Sequence, residues 1–168
     1  EPDVWGNTFL GYGAGNFTLS NTGFLEGKYN TGIGLNSLND ISLGFANVGV
    51  GANSGELITT GGNNLAVGAR SLYKLLTGNL NISLGYESGK NYTSSESSNI
   101  CINSNGTTAE SHKLRIGAAT GTGSGELDAA YICGIYNTAV GATAGVVLAD
   151  SSNQIGGLAG AANTVFIG

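Results

Sequence analysis

An internal repeat constrains the fold of this chain more than any other feature. Its signature is an asparagine, three mostly apolar residues and a glycine, and it recurs every 17 residues between Asn30 and Asn81. A unit of this size is too small to bury its own apolar side chains, so successive units must stack. The clearest copies are Asn7-Thr-Phe-Leu-Gly11, Asn30-Thr-Gly-Ile-Gly34, Asn47-Val-Gly-Val-Gly51, Asn64-Leu-Ala-Val-Gly68 and Asn81-Ile-Ser-Leu-Gly85.

Within each copy, alternate residues share one face of a strand. Val48 and Val50 place aliphatic groups on one face, and Gly49 gives the other face a small residue. The pattern predicts an all-β fold, a parallel β-solenoid or β-roll with coils of about 17 residues. We expect the aliphatic face to fill the coil interior. We expect the small face to lie outside, where a homotrimer about the long axis would bury it and form a fibre.

Composition excludes several other classes. The chain has 168 residues, with 30 Gly and one Pro, and the glycines lack the three-residue period of collagen. The hydrophobic fraction of 40% is too high for a disordered polar tract. A net charge of −5 and six scattered cations predict no nucleic-acid partner. No apolar run approaches the roughly 20 residues of a membrane span, so we expect no membrane insertion.

The repeat divides the chain into three predicted segments. Residues 1–117 form the repeat β-roll, residues 118–136 a glycine-rich loop and a transition strand, and residues 137–168 a further fibre β segment. Weaker copies, down to Asn137-Thr-Ala-Val-Gly141 and a last one at 163–168, would bring the total to roughly nine coils. The polar stretch 90–98 interrupts the pattern. Both ends of the chain suggest a fragment of a longer protein.

No catalytic, metal or cofactor site is predicted. The sequence has a single histidine, His112, and no nucleophile-elbow motif that would pair with it in a hydrolase. The spacing of His112 from Cys101 and Cys133 does not suit a zinc site. Both cysteines lie in apolar runs and are expected to be buried. Glu126 and Asp128 are the one close carboxylate pair, which keeps a glycan-cleaving role open as the alternative.

Three tyrosines are the candidates for ligand binding. Tyr12 and Tyr86 occupy the same position of the repeat, and Tyr92 lies near a coil corner. Exposed tyrosine rings stack on sugars and on protein partners. Packing between subunits is the competing explanation for the same residues.

The repeat units resemble the head repeats of trimeric autotransporter adhesins and, more closely, repeats of phage and virus tail-fibre proteins. The resemblance is carried by units such as Asn7-Thr-Phe-Leu-Gly-Tyr-Gly-Ala-Gly15 and Asn81-Ile-Ser-Leu-Gly-Tyr-Glu-Ser-Gly89. Ser98-Asn-Ile-Cys-Ile-Asn103, Lys113-Leu-Arg-Ile-Gly117 and Ala130-Tyr-Ile-Cys-Gly-Ile135 resemble the segments that follow such repeats. The likeness covers roughly residues 7–117 and 129–168.

The resemblance implies a left-handed, trimeric, parallel β-roll on a virion tail fibre or a bacterial cell surface. Its expected role is non-enzymatic attachment of an extracellular fibre to a host or surface. The expected partners are two further copies of the chain and a glycan or protein receptor on the host. The alternative is a tailspike that depolymerises glycans. An ice-binding solenoid is disfavoured because Thr8 and Thr31 give way to Val48 and Leu65 along the same column.

Overall fold

The computed structural model describes residues 6–16 and 27–117, and the backbone of 148–149 and 155–156. The chain divides into two compact units, Glu1–Glu126 and Leu127–Gly168. The described part of the first unit contains seven three-residue strands that form one parallel sheet in sequence order. The strands are β1 (Thr8–Leu10), β2 (Thr31–Ile33), β3 (Val48–Val50), β4 (Leu65–Val67), β5 (Ile82–Leu84), β6 (Ile100–Ile102) and β7 (Leu114–Ile116). The predicted all-β parallel solenoid is confirmed.

Each strand pairs in register with its copy in the next coil. Val48 lies opposite Leu65, and Leu65 lies opposite Ile82. The first strand also joins the ladder, with Thr8 opposite Thr31, although this interval of the repeat is longer. The coil spacing of about 17 residues is therefore confirmed, whereas the left hand of the coil stays a prediction.

The two strand faces are reversed relative to the expectation from sequence. The middle residue of each strand from β2 to β6 is buried, and its two neighbours are partly or largely exposed. The small residues therefore point into the coil, and the aliphatic residues point outward. The buried column consists of Gly32, Gly49, Ala66, Ser83 and Cys101. The predicted aliphatic interior was wrong.

From β2 to β6 the inward strand residues are small because other side chains already fill the interior. Leu38 and Ile58, from the part of the coil beyond the strand, are completely buried. A Cβ added to Gly49 would lie 2.6 Å from the Ser37 hydroxyl oxygen and 3.1 Å from Leu38 Cγ. A valine or leucine there would overpack the core. The completely buried large aliphatic residues are Leu38, Ile41, Ile58, Leu72 and Leu75.

A ladder of buried asparagines ties the coils together at the residue before each strand. Asn64 Nδ2 donates to Asn47 Oδ1 at 3.0 Å and to the Gly78 carbonyl oxygen at 2.8 Å. Its own Oδ1 accepts from the backbone N–H and from Nδ2 of Asn81, both at 3.0 Å. These amides thus satisfy buried backbone groups while linking one coil to the next.

The polar stretch 90–98 does not interrupt the solenoid. The coil from Asn81 to Asn99 is one residue longer than its predecessors, and Tyr92 is completely buried in the core. Glu96 is also buried, and its carbonyl oxygen accepts from Asn81 Nδ2 at 2.8 Å, as the Gly78 carbonyl does for Asn64. The expected break is therefore wrong: the stretch supplies one core residue and one ladder acceptor.

Residues of the second unit are described only at two strands. β8 (Leu148–Ala149) and β9 (Ile155–Gly156) pair antiparallel. This pairing differs from the parallel pairing of the first unit, and the total of roughly nine coils stays a prediction. The segment 118–136 and the weak copies at 137–141 and 163–168 lie outside the described residues.

Candidate functional site

The outward residues of the strands form a continuous apolar strip, which we call the aliphatic face. It consists of the first and third residues of β2 to β7, which are aliphatic except for Thr31. Among them, Leu114 is 65% exposed and Ile116 is 54% exposed. With coils about 4.8 Å apart, seven stacked strands make a sheet about 29 Å long. No charged residue points outward from this strip, because the one charged residue within these strands, Arg115, occupies the inward position.

The three candidate tyrosines have different environments. Tyr12 and Tyr86 are 86% and 66% exposed, and both follow the corner glycine at the end of a strand. Tyr92 is completely buried, and its hydroxyl donates to Glu110 Oε1 at 2.7 Å. Its ring therefore has no surface on which a ligand of this chain could stack. Tyr12 and Tyr86 border the aliphatic face, where a sugar or a second subunit could contact them.

A partly buried polar cluster lies at the described end of the solenoid. The Tyr92 hydroxyl lies 3.0 Å from Cys101 Sγ, and Arg115 donates to both carboxylate oxygens of Glu110, from Nε to Oε1 and from Nη2 to Oε2. Burial raises the pKa of Tyr92 and of the Cys101 thiol. Burial alone would also raise the pKa of Glu110, but Arg115 and the Tyr92 hydroxyl outweigh it, and the net pKa is lowered. The polar groups of the cluster hydrogen-bond with one another. We interpret the cluster as a polar cap on the apolar core.

A second surface feature lies beyond the corner glycines Gly68 and Gly85. The Arg70 guanidinium carbon lies 4.5 Å from the centre of the Tyr73 ring, and Lys74 Nζ lies 5.2 Å from the same centre. Glu87 binds Arg70 at 2.6 Å and Lys90 at 2.7 Å. We call this group the basic patch. It comprises Arg70, Tyr73, Lys74, Tyr86, Glu87 and Lys90.

The charges of the basic patch reinforce one another's ionised states. Lys74 and Arg70 lower the pKa of Tyr73, with Lys74 the larger cause. Lys90 is the main cause of the lowered pKa of Glu87. All these groups stay at least partly open to solvent. They are therefore able to meet a ligand without the cost of opening the fold.

The remaining candidates for chemistry are not assembled into a site. His112 is exposed and has a left-handed backbone with φ of 61°. Within the described residues, no three His, Cys, Asp or Glu side chains are grouped to hold a metal, and no helix is long and apolar enough to cross a membrane. Cys133, Glu126 and Asp128 lie outside the described residues. Cys101 is a free, buried thiol, as expected.

No protein-family profile, curated protein or solved structure matches this chain. Function must therefore be argued from the residues and their geometry. The two surfaces that stand out are the aliphatic face and the basic patch. The resemblance to fibre and adhesin repeats stays a prediction.

Sequence reasoning missed the basic patch because the cations are scattered along the chain. Arg70 and Glu87 are 17 residues apart, one coil length, so the solenoid brings them side by side. Reading the charges as columns with the repeat period would have found this pair. The contacts of Tyr73 with Arg70 and Lys74 follow from turn geometry that the repeat pattern does not specify.

Proposed function

We propose that this chain is a non-enzymatic segment of a homotrimeric surface fibre that serves attachment to a host cell or surface. The observation that carries the proposal is the aliphatic face, an uncharged strip running across the six stacked strands β2 to β7. Soluble monomers rarely expose contiguous apolar patches beyond a few hundred Å², and larger ones mark interaction sites. The occupants we assign to the face are two further copies of the chain.

A copy of the same chain fits this face on physical grounds. The strip is long, narrow and without charge, so a partner must offer an equally long apolar strip along the same direction. A second solenoid with the same coil spacing meets that requirement, because each of its strands can pack against a strand of the first. Burying the strip would contribute roughly 25 cal/mol for each Å² of apolar surface removed from water. No charge of the face would have to be desolvated in return.

Threefold symmetry suits a fibre better than a twofold dimer. In a cyclic trimer about the long axis, each aliphatic face contacts two others, and all chains run in the same direction. A twofold axis across the solenoid would run two chains in opposite directions, which does not extend into a fibre of parallel strands. The other sides of each coil would stay outward, available for a receptor, in keeping with an extracellular position on a virion or bacterial surface.

A pair of charge variants tests the interface. Val67 lies in β4 near the middle of the aliphatic face, and Val67→Lys would place an ammonium group in the trimer centre. The matched control is Thr60→Lys, at an exposed turn position away from the strands. By light scattering, we expect the native chain and Thr60→Lys at about three times 16.8 kDa, and Val67→Lys at 16.8 kDa. Circular dichroism checks that both variants keep the β fold.

The attachment role needs its own measurement. Labelled trimer is applied to bacterial and eukaryotic cells and to a glycan array, with the Val67→Lys monomer as the comparison. Binding that rises with valency supports attachment. The same array, analysed for cleaved products, tests the non-enzymatic part of the proposal. Release of shortened glycans by the native protein would favour a depolymerising tailspike instead.

A further inference from the structure

We propose that the basic patch binds an acidic saccharide, one that presents a carboxylate or sulfate beside a sugar ring. The patch combines three cations with two tyrosines on adjacent coils. This binding site goes beyond the attachment role. It is argued from the patch residues alone and does not depend on trimer formation.

The cations are held in place before any ligand arrives. Arg70 lies over the Tyr73 ring and is bound by Glu87 through Nη1, while Lys90 takes the other carboxylate oxygen of Glu87. A guanidinium has five N–H donors; Arg70 uses one of them for this ion pair and also hydrogen-bonds with Tyr73 and Tyr86, which leaves part of the donor set open. Stacking on an aromatic ring fixes its plane, so the remaining donors can pair with an anion at little entropic cost.

Lys74 supplies a second positive charge. Its side chain is exposed, and in the described part of the chain its contact is with the Tyr73 ring rather than with a carboxylate. Three cations against Glu87 leave the patch with a charge of +2 in a chain of net charge −5. Glu56, one coil before Tyr73, accepts a hydrogen bond from Asn53 Nδ2 at 2.8 Å and keeps its negative charge, which would bring the local total to +1.

A sugar ring explains the aromatic component of the patch. The Tyr86 ring is exposed and follows the corner glycine that ends β5, one residue before Glu87. Tyrosine offers an apolar face for stacking and a hydroxyl for hydrogen bonding. A charge of +2 over two coils is small beside the row of phosphate contacts that nucleic-acid binding needs. An acidic saccharide of a few rings matches the patch in both charge and size.

The test uses the whole chain and calorimetric titration at low and high salt. The probes are tetragalacturonate, its neutral methyl ester, a sulfated maltotetraose and unmodified maltotetraose. We expect binding of one or both acidic probes, weakened at high salt, and no binding of the neutral ones. The carboxylated and sulfated arms distinguish the two sources of charge.

Matched variants assign the binding to the patch. Lys74→Gln and Arg70→Gln should each weaken binding about tenfold, the effect of losing one charge-assisted hydrogen bond. Tyr86→Ala should weaken it severalfold. Lys113→Gln removes an exposed cation elsewhere and should leave the affinity within twofold. Val67→Lys keeps every patch residue, so the monomer should still bind the acidic probes and not the neutral ones.

Several results would overturn the assignment. These are equal binding of neutral and acidic probes, an equal loss with Lys113→Gln, or no binding at millimolar concentration. Tighter binding of a single-stranded oligonucleotide than of either acidic saccharide would also count against it. None of these results bears on the mass of the assembly, so the fibre proposal is judged separately.

Discussion

Replacing Asn64 with alanine tests the asparagine ladder as the element that ties the coils together. The side chain of Asn64 makes four hydrogen bonds, two to Asn81, one to Asn47 and one to the Gly78 carbonyl. Asn47 Oδ1 keeps its bond from the Asn64 backbone N–H, and Asn81 Nδ2 keeps its bond to the Glu96 carbonyl. The Asn81 N–H and the Gly78 carbonyl lose these bonds without replacement.

Each orphaned buried group costs about 1–3 kcal/mol, so we expect Asn64→Ala to lower the free energy of unfolding by about 3–5 kcal/mol. That is a large share of the roughly 5–15 kcal/mol of a typical domain. Urea unfolding followed by circular dichroism measures it, at one fixed protein concentration because assembly makes stability concentration-dependent.

Asn39→Ala is the matched control for this experiment. Asn39 Nδ2 makes one half-buried bond to the Gly13 carbonyl oxygen at 2.9 Å, so its loss should cost at most about 1 kcal/mol. If Asn64→Ala costs no more than Asn39→Ala, the ladder does not bind the coils together. The reasoning would then be refuted.

Three further predictions follow from buried groups. Within the described residues, Ser83 Oγ is buried without a hydrogen-bond partner, so Ser83→Ala should raise the free energy of unfolding by about 1 kcal/mol. The control is Ser71→Ala, which removes a hydrogen bond to the Ser83 carbonyl oxygen. It should lower the free energy of unfolding by about 1 kcal/mol in the same urea assay. Gly51→Ala should cost about 2–4 kcal/mol in thermal unfolding, because φ is 128° and the new Cβ would lie 2.7 Å from the Gly68 carbonyl carbon. Burial alone would raise the pKa of Glu96, but hydrogen bonds from backbone N–H groups outweigh burial, and the pKa in the folded state is lowered. The ionised Glu96 carboxylate therefore stabilises the fold above its unfolded-state pKa near 4.3, and this stabilisation is lost as the pH falls through the lower folded-state pKa. Urea midpoints from pH 6 to pH 3 should show this loss in the native chain and a smaller one in Glu96→Gln.

The sequence was sufficient for the positions of the strands and their spacing. The asparagine before each strand and the glycine after it mark one rung per coil, and stacking is the one way to bury so small a unit. Alternation along Val48, Gly49 and Val50 groups the residues by face, but it does not say which face is inside. That is decided by Leu38 and Ile41, which lie beyond the strand in the same coil and fill the interior.

The candidate sites were predicted less well. Tyr92 is surrounded by polar residues in sequence and was grouped with surface tyrosines. It lies eleven residues after Asn81, the repeat position that Ile41, Ile58 and Leu75 hold in the earlier coils, and like them it is completely buried. The basic patch depends on side chains from two coils meeting across a column. Glu87 and Lys90 are three residues apart and pair within one turn, but only the stacking of coils brings Arg70 to Glu87.

Sedimentation equilibrium of the native chain tests the central claim most directly. If outward aliphatic rows bury themselves against two further copies, one species near 50 kDa, three times 16.8 kDa, should persist over a wide range of concentrations. A single species at 16.8 kDa, with the β solenoid intact by circular dichroism, would contradict the account. The apolar rungs would then be stable in water by themselves, and the fibre would lose its interface.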